Sequence, residues 1–281
     1  MIKIKRPNFI VIGSMKSGTT TLCHLLGQHP DVYISEPKEL EFFCKDEIYA
    51  KGFKWYTSLF AGAKNKSAIG EGSTSYAKAP LFPNVAERIA RHLPDVRLIY
   101  IVRHPLERIE SHWMHRVQHG DVRTFKKMLN EYPNLIDTSR YWTQIQLYRK
   151  YFGDDQILVL FFEDLKKNPE IVLQQCFEFL SVAPGVRLAN PVERRNVTQK
   201  KRVETDLLKR MRKNKAFEVA GRIIPPPLRE FLKERLEIRM ESRPVWDRAK
   251  RKWAISEIAE EARTFLSFYG RPVDFWDMSV I

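Results

Sequence analysis

Asn8-Phe-Ile-Val-Ile-Gly-Ser-Met-Lys-Ser-Gly-Thr-Thr-Thr21 is the stretch of this 281-residue chain that decides its fold. The apolar run that ends at Gly13 predicts a buried strand, and the residues after Gly18 predict the start of a helix. Backbone N–H groups at such a helix start point towards solvent, and the helix dipole favours an anion there. Further hydrogen-bond donors come from the hydroxyl groups of Ser17, Thr19, Thr20 and Thr21. The stretch therefore predicts a phosphate-binding loop.

Strands and helices alternate through the first two thirds of the chain. Apolar runs predict further strands at 32–34, 68–71, 96–102 and 156–162. Helical spacing predicts helices at 20–28, 47–60, 84–92, 106–119, 139–152 and 169–180. This alternation predicts an α/β fold, in which helices cover both faces of a central, mostly parallel sheet.

The last third of the chain has a different character. Beyond about residue 200 the pattern predicts helices only, and the last helix is expected over 248–268. We therefore predict one domain over residues 1–281, with a basic helical C-terminal extension from about residue 205.

Positive charge is concentrated late in the chain. The chain has 48 Lys and Arg against 34 Asp and Glu, a net charge of +14, and residues 187–252 alone hold 21 against 9. Such a segment suits an anionic partner, or it is the solvated face of amphipathic helices. No apolar run is long enough to span a bilayer and no signal peptide is visible, so we expect a cytoplasmic protein. Peripheral contact with a membrane is left open, and the sequence does not indicate an oligomeric state.

The loop after the first strand differs from a nucleotide-kinase loop. A kinase loop needs Gly-x-x-x-x-Gly followed at once by Lys and then Ser or Thr. Gly13 and Gly18 have that spacing, but Thr19 stands where the lysine is required, and the lysine lies inside the loop as Lys16. No lysine is therefore placed to bridge β- and γ-phosphates, and no carboxylate site for magnesium can be identified.

Residues 7–22, with Lys16-Ser-Gly-Thr-Thr20 at their centre, resemble the 5′-phosphosulfate loop of the sulfotransferases. The resemblance extends over residues 7–180. It implies a P-loop-kinase-like fold and the donor 3′-phosphoadenosine 5′-phosphosulfate (PAPS), with the product 3′-phosphoadenosine 5′-phosphate (PAP). It also implies that no metal is needed.

The donor's 3′-phosphate is held in this family by an Arg at the end of a central strand and a Ser eight residues later. Arg103 and Ser111 have that spacing here. Arg103 would lie at the carboxyl edge of a parallel sheet, where ligands usually bind, and an Arg can grip a phosphate with two hydrogen bonds. The family's late basic loop, which closes over the nucleotide, is matched by Lys200, Lys201 and Arg202, although a solvated charge run has the same sequence pattern.

Two catalytic residues are predicted. Sulfuryl transfer builds negative charge on the bridging oxygen of the leaving group, and Lys16 is placed to neutralise it. The acceptor needs a base to take its proton. Glu36-Pro-Lys-Glu-Leu-Glu-Phe-Phe43 resembles the carbohydrate, heparan-sulfate-type branch more closely than the phenol and steroid branch, and this resemblance implies Glu39 as the base. Glu36 and Glu41 compete with it on sequence alone.

Two positions depart from the pattern of some heparan-sulfate enzymes. Where those enzymes have His two residues after the catalytic Glu, this chain has Glu41, and where they have Lys in the segment 70–76, it has Gly72. Both departures concern the acceptor and leave the donor residues untouched.

The sequence thus predicts a sulfotransferase that moves a sulfuryl group from PAPS to a hydroxyl or amine of a carbohydrate, glycolipid or smaller acceptor. The alternatives are a P-loop nucleotide kinase and a non-catalytic binder of an anionic polymer, but nucleic acid is not the expected partner. His112, His115 and His119 share a helical face, yet no carboxylate or cysteine is arranged beside them, so no metal site is predicted.

Overall fold

A five-stranded parallel sheet forms the centre of the molecule, in the strand order β2-β3-β1-β4-β5. The computed structural model describes residues 6–186, 188, 202–204, 237–239 and 243–279. The strands of the sheet are β1 (Phe9–Gly13), β2 (Val32–Ile34), β3 (Ala68–Gly72), β4 (Arg97–Val102) and β5 (Ile157–Phe161). The chain leaves β1 to one side for β2 and β3 and crosses to the other for β4 and β5. The carboxyl edge between β1 and β4 is therefore the expected place for a ligand.

Helices connect the strands and follow them. In the described residues they are α1 (Thr19–Leu26), α2 (Asp46–Tyr49), α3 (Phe53–Ser58), α4 (Val85–His92), α5 (Pro105–Gln118), α6 (Phe125–Glu131), α7 (Asn134–Asp137), α8 (Tyr141–Arg149), α9 (Phe162–Lys167), α10 (Pro169–Phe179) and α11 (Arg248–Phe268). Within this part of the chain no helix is both long and apolar enough to cross a bilayer.

The two faces of the sheet pack against different helices. Side chains alternate along a strand, so Ile10 and Ile12 of β1 enter one core while Phe9 and Val11 enter the other. The first core contains buried side chains of α4, α8 and α11, and the second those of α1 and α10. Each fully buried Val, Ile, Leu or Phe side chain stabilises the folded state by about 1.5–3 kcal/mol. The predicted α/β class, with helices on both faces of a parallel sheet, is confirmed.

One prediction about the last third is wrong. Residues Arg202–Glu204 (β6) and Glu237–Arg239 (β7) form an antiparallel pair of strands, whereas helices alone were expected beyond residue 200. In the register of this pair, Val203 lies opposite Ile238, and the residues on either side of each are charged. Three residues with one apolar side chain carry too short an alternation to predict a strand. The last helix has the predicted bounds, whereas residues 205–236 of the predicted extension lie outside the described residues.

The helix expected over 47–60 is two helices. Helix α2 ends at Tyr49 and α3 begins at Phe53, and Gly52 between them has a φ of 83°. That conformation favours glycine and breaks the helical path. Three further helices, α6, α7 and α9, were not predicted.

Candidate active site

The loop after β1 lies against the neighbouring strand β4. The backbone N–H of Ser14 donates to the carbonyl of Ile101 over 2.6 Å, and that of Ser17 donates to the carbonyl of Ser14 over 3.1 Å. Lys16 and Gly18 have positive φ angles of 71° and 92°. These turns bring the chain back over the sheet edge and start α1 directly after Gly18, so the N–H groups of its first turn lie at the carboxyl edge.

The loop contains two hydroxyl groups that lack partners. Ser14 Oγ and Ser17 Oγ are buried, and neither has a hydrogen-bond partner in the described part of the chain. Because an unsatisfied buried polar group costs about 1–3 kcal/mol, these hydroxyls suit a bound group rich in acceptor oxygens. Of the other predicted loop residues, Thr19 is buried, and the remaining four are half-buried: Lys16, Gly18, Thr20 and Thr21.

Arg103 lies at the end of β4, on the same edge of the sheet. Its guanidinium donates to Oε2 of Glu107 through Nε at 3.1 Å and also through Nη2. Its backbone carbonyl accepts a 2.6 Å hydrogen bond from the hydroxyl of Tyr141. The Arg103 side chain is 13% exposed. The residue is thus held on both sides and still reaches the surface of the site.

Phe162 connects the loop to Arg103. Its ring centroid lies 5.1 Å from the Arg103 guanidinium. A Cβ atom placed on Gly18 would come within 2.6 Å of the same ring. Gly18 and Arg103 therefore contact one aromatic side chain, and the two halves of the predicted donor site are neighbours. Nothing in the local sequence links Phe162 to either, because it follows a different strand.

Ser111 lies on α5, one helical turn beyond Glu107 and on the same side of the helix, where it is half-buried. Burial raises the pKa of Glu107, but the hydrogen bond from Arg103 and the charge of Arg243 outweigh it and leave the pKa lowered. Arg243 Nη1 lies 3.4 Å from Glu107 Oε1. Sequence reasoning missed Arg243, which precedes the last helix in a segment without a recognisable motif.

The late basic residues are only partly described. Arg202 begins β6, which lies close to α5, the helix that carries Ser111. Lys200 and Lys201 lie outside the described residues.

Glu39 lies on the other side of the loop. Its Oε1 accepts a hydrogen bond from Lys38 Nζ at 2.7 Å, and its Oε2 accepts one from the backbone N–H of Thr74 at 2.8 Å. The side chain is 40% exposed. Thr74 opens the 3₁₀ turn Thr74–Ala77, which follows β3. Glu39 is thus fixed in direction and open to an acceptor.

The two competing glutamates have different surroundings. Glu41 has a positive φ of 52°, pairs with Lys45 and accepts a 2.9 Å hydrogen bond from Ser75 Oγ. Burial raises the pKa of Glu41, but the hydrogen bonds from Lys45 and Ser75 outweigh it and lower the pKa overall. Glu36 is exposed and forms no hydrogen bond or ion pair with any residue that the structure describes.

A buried carboxyl supports this side of the site. Glu71 of β3 accepts hydrogen bonds from the hydroxyls of Tyr56 (2.8 Å), Tyr76 (2.9 Å) and Ser73 (2.5 Å). Burial raises the pKa of Glu71 to about 7, although these three donors oppose the shift. Ser73 Oγ also accepts the backbone N–H of Glu41 at 3.1 Å. The only sequence signal for this network was a glutamate inside an otherwise apolar strand.

Gly72 makes room for two neighbours. A Cβ atom there would lie 2.6 Å from Cys23 Sγ and 3.0 Å from Lys38 Cε. The space beside this position is thus occupied by the stem of Lys38, whose ammonium pairs with Glu39. Any side chain at position 72 would therefore meet Cys23 and Lys38.

His112 is buried on α5 and belongs to the packing of that helix. Its Nδ1 lies 3.2 Å from Nη1 of Arg108, a fully buried residue that also donates to Ser139 Oγ at 2.5 Å. Burial and the charge of Arg108 lower the pKa of His112 well below its usual range. The described residues contain no group of three or more potential metal ligands. That no metal is used remains a prediction.

The family model for the sulfotransferase domain matches residues 6–224. The chain belongs to the sulfotransferase family. The predicted membership of the sulfotransferase family is therefore confirmed.

Two known proteins that are similar to this chain are also named as sulfotransferases. The chain is 34% identical over 142 residues to the membrane-associated sulfotransferase kil1 of Dictyostelium discoideum, with 47% of this chain and 29% of that protein covered. It is 28% identical over 200 residues to the human bifunctional heparan sulfate N-deacetylase/N-sulfotransferase 2, with 63% of this chain and 22% of that protein covered. The chain thus spans less than a third of the length of either relative.

A solved structure shares the fold over nearly the whole chain. The sulfotransferase from Alicyclobacillus acidocaldarius superposes with a TM-score of 0.69 at 22% identity and covers 97% of this chain and 99% of its own. The sulfotransferase domain of the curacin biosynthetic pathway gives a TM-score of 0.52 at 19% identity, over 67% of this chain and 78% of its own. The P-loop-kinase-like fold implied by the resemblance is therefore confirmed.

Proposed function

We propose that this sulfotransferase moves a sulfuryl group from PAPS to a hydroxyl or amine of a carbohydrate or glycolipid acceptor. The observation that carries the proposal is that Gly18 and Arg103 both contact the aromatic ring of Phe162. Through this contact, two groups suited to phosphates lie beside each other at the carboxyl edge of the sheet. A nucleotide with phosphates on both sides of its ribose suits such a pair.

The residues present fit PAPS. The 5′-phosphate would be held by the loop and the start of α1, through Ser17, Gly18, Thr19, Thr20 and Thr21. The buried hydroxyls of Ser14 and Ser17, which have no hydrogen-bond partner among the described residues, support this assignment. Arg103 and Ser111 would hold the 3′-phosphate. Arg103 now pairs with Glu107, and a dianionic phosphate would compete for the same guanidinium. Arg243 is a late cation close to Glu107 of α5, and β6, which begins at Arg202, also lies close to α5.

PAPS supplies the sulfuryl group, and the chain supplies charge and a base. Lys16 would stabilise the negative charge that develops on the bridging oxygen of the leaving group, an effect worth roughly 3–4 kcal/mol in comparable sites. Glu39 would accept the proton of the attacking hydroxyl or amine. The surroundings favour Glu39 over Glu41, because Glu41 is turned towards Lys45 and has a lowered pKa, which weakens it as a base.

A carbohydrate acceptor is supported by the similarity to heparan sulfate N-sulfotransferases over 63% of the chain. The departures at Glu41 and Gly72 lie on the acceptor side and distinguish this site from those of some enzymes of that branch.

Thermal unfolding with nucleotides tests the proposal. We expect PAP to raise the unfolding temperature without magnesium, and Mg-ATP at the same concentration to raise it less. At a concentration 100 times its Kd, a ligand stabilises the folded state by about 2.7 kcal/mol. A larger shift with Mg-ATP would favour a kinase. Salt-sensitive binding of an anionic polymer without any response to PAP would favour the non-catalytic alternative.

A further inference from the structure

Lys78 is a half-buried cation beside the predicted base, and the functional assignments above leave it unused. It follows directly on the 3₁₀ turn Thr74–Ala77. The same turn contacts both glutamates of the acceptor side, Glu39 through the Thr74 N–H and Glu41 through Ser75 Oγ. Lys78 is therefore attached to the short segment that orients the base.

The ammonium of Lys78 has few partners. Its Nζ donates to Ser75 Oγ at 3.3 Å, and no carboxylate in the described part of the chain forms an ion pair with it. An ammonium group has three hydrogens to donate. The two nearby carboxylates are engaged by other lysines, Glu39 by Lys38 and Glu41 by Lys45. A partly buried cation in this state gains from a further anion.

The electrostatic surroundings of Lys78 include both the predicted base and α5. Burial lowers the pKa of Lys78, the charges of Glu39 and Glu41 oppose that shift, and Arg108 of α5 adds to it. The pKa of His112 on α5 is in turn lowered by burial, by Arg108 and by the charges of both Lys78 and Lys16. Lys78 thus lies within electrostatic range of Glu39 and of Arg108 and His112 on α5, and His112 also lies within range of Lys16.

We infer that Lys78 binds an anionic group of the acceptor, a carboxylate or a sulfate ester, next to the hydroxyl or amine that receives the sulfuryl group. This inference rests on the proposed function and narrows it to acidic acceptors. The bound anion would supply the charge that the local carboxylates do not, and it would hold the acceptor with its nucleophile towards Glu39. Lys78 is therefore a binding residue, separate from the base and from Lys16.

Matched pairs of acceptors test the inference. A suitable panel contains glucuronic-acid-bearing oligosaccharides and aryl glucuronides, each paired with its carboxyl-reduced or glucoside counterpart. We expect the wild-type enzyme to have about a tenfold higher kcat/KM for the acidic member of each pair that it uses. In Lys78→Met this preference disappears, mainly through a higher KM for the acidic member, and Lys78→Arg restores most of it. Met retains the apolar stem, so the variant keeps its packing.

Controls separate this inference from the proposed function. Lys54→Met removes an exposed lysine on α3 and should leave the preference intact. If PAP does not stabilise the wild-type protein, the proposed function itself fails. If PAP binds normally, three results overturn the role of Lys78 alone: no use of any acidic member, no preference between members in the wild type, or an equal loss for both members in Lys78→Met. The last result would place Lys78 at the transferred sulfuryl group.

Discussion

The two sides of the candidate site are built in different ways. On the donor side, Gly18 and Arg103 are held by strand ends, by backbone hydrogen bonds and by the ring of Phe162. On the acceptor side, Glu39 and Glu41 lie on a loop and are held by side chains, chiefly lysines and the hydroxyls of the 3₁₀ turn. The donor side thus depends on the course of the backbone, whereas the acceptor side depends on the identity of individual side chains.

This difference suits the two tasks of the enzyme. If the donor is always PAPS, as proposed, a rigid strand edge and a turn of fixed shape can recognise it. An acceptor can be changed by exchanging loop residues without disturbing the sheet. The position of Gly72 illustrates the second case, because the stem of Lys38 occupies the space beside it and its ammonium reaches Glu39.

The largest effect is expected from Glu39→Gln. Gln keeps an oxygen that can accept the Thr74 N–H but cannot take a proton, so we expect kcat to fall about 1000-fold, within the usual range for a general base. PAP affinity should stay unchanged, because the donor side is untouched. Steady-state kinetics and PAP titration measure the two quantities. Glu36→Gln, at the exposed glutamate without described partners, is the control. Loss of activity in Glu41→Gln alone would move the base to Glu41 and end the assignment.

A slightly smaller effect is expected from Lys16→Ala. Removal of the ammonium leaves the charge on the bridging oxygen unbalanced, so kcat should fall by about 300-fold. PAP affinity should fall much less, because that charge develops in the transition state. Lys64→Ala, at an exposed lysine outside the site, should behave as the wild type. Normal sulfuryl transfer by a folded Lys16→Ala protein would show that the loop binds the donor without taking part in catalysis.

The same contrast explains what the sequence could predict. The strand ending at Gly13, the loop after it and the strand before Arg103 lie in contiguous segments with regular spacing, so the sheet edge follows from local pattern. The donor role predicted for Arg103 came from the family resemblance. Phe162 was missed because it meets Gly18 only after a distant strand has paired beside β4. Arg243 and Lys78 were missed for the same reason, since their neighbours come from other segments. The strand pair β6 and β7 was missed because its sequence signal is too short.

The buried carboxyl on the acceptor side gives a pH dependence that the donor side lacks. The pKa of Glu71 is about 7 in the folded protein and 4.5 in an unperturbed chain. Between these values the folded state binds more proton than the unfolded state, so stability is full below about pH 4.5 and falls as the pH rises through 7.

Glu71→Gln isolates that contribution, because Gln resembles the protonated acid and does not titrate. Relative to Glu71→Gln, the wild-type protein should lose about 3 kcal/mol of unfolding free energy between pH 5 and pH 8. Urea denaturation at the two pH values measures it, with Glu87→Gln at an exposed ion pair as the control. If the difference in unfolding free energy between the wild type and Glu71→Gln is the same at both pH values, the donors Tyr56, Tyr76 and Ser73 keep Glu71 ionised.

The smallest effect tests whether the donor side depends on the course of the backbone more than the acceptor side does. Gly18→Ala introduces strain at a φ of 92° and a methyl group 2.6 Å from the Phe162 ring, which must move and take its contact with Arg103 along. Gly52→Ala introduces similar strain at a φ of 83° with no atom within 4 Å of the new methyl group. Each substitution should cost about 1–2 kcal/mol of stability from strain. PAP affinity should fall about tenfold in Gly18→Ala alone, a difference of about 1.4 kcal/mol. Equal PAP affinities in the two variants, measured by calorimetry, would show that Phe162 does not connect the loop to Arg103, and the donor side would then consist of two independent anion sites.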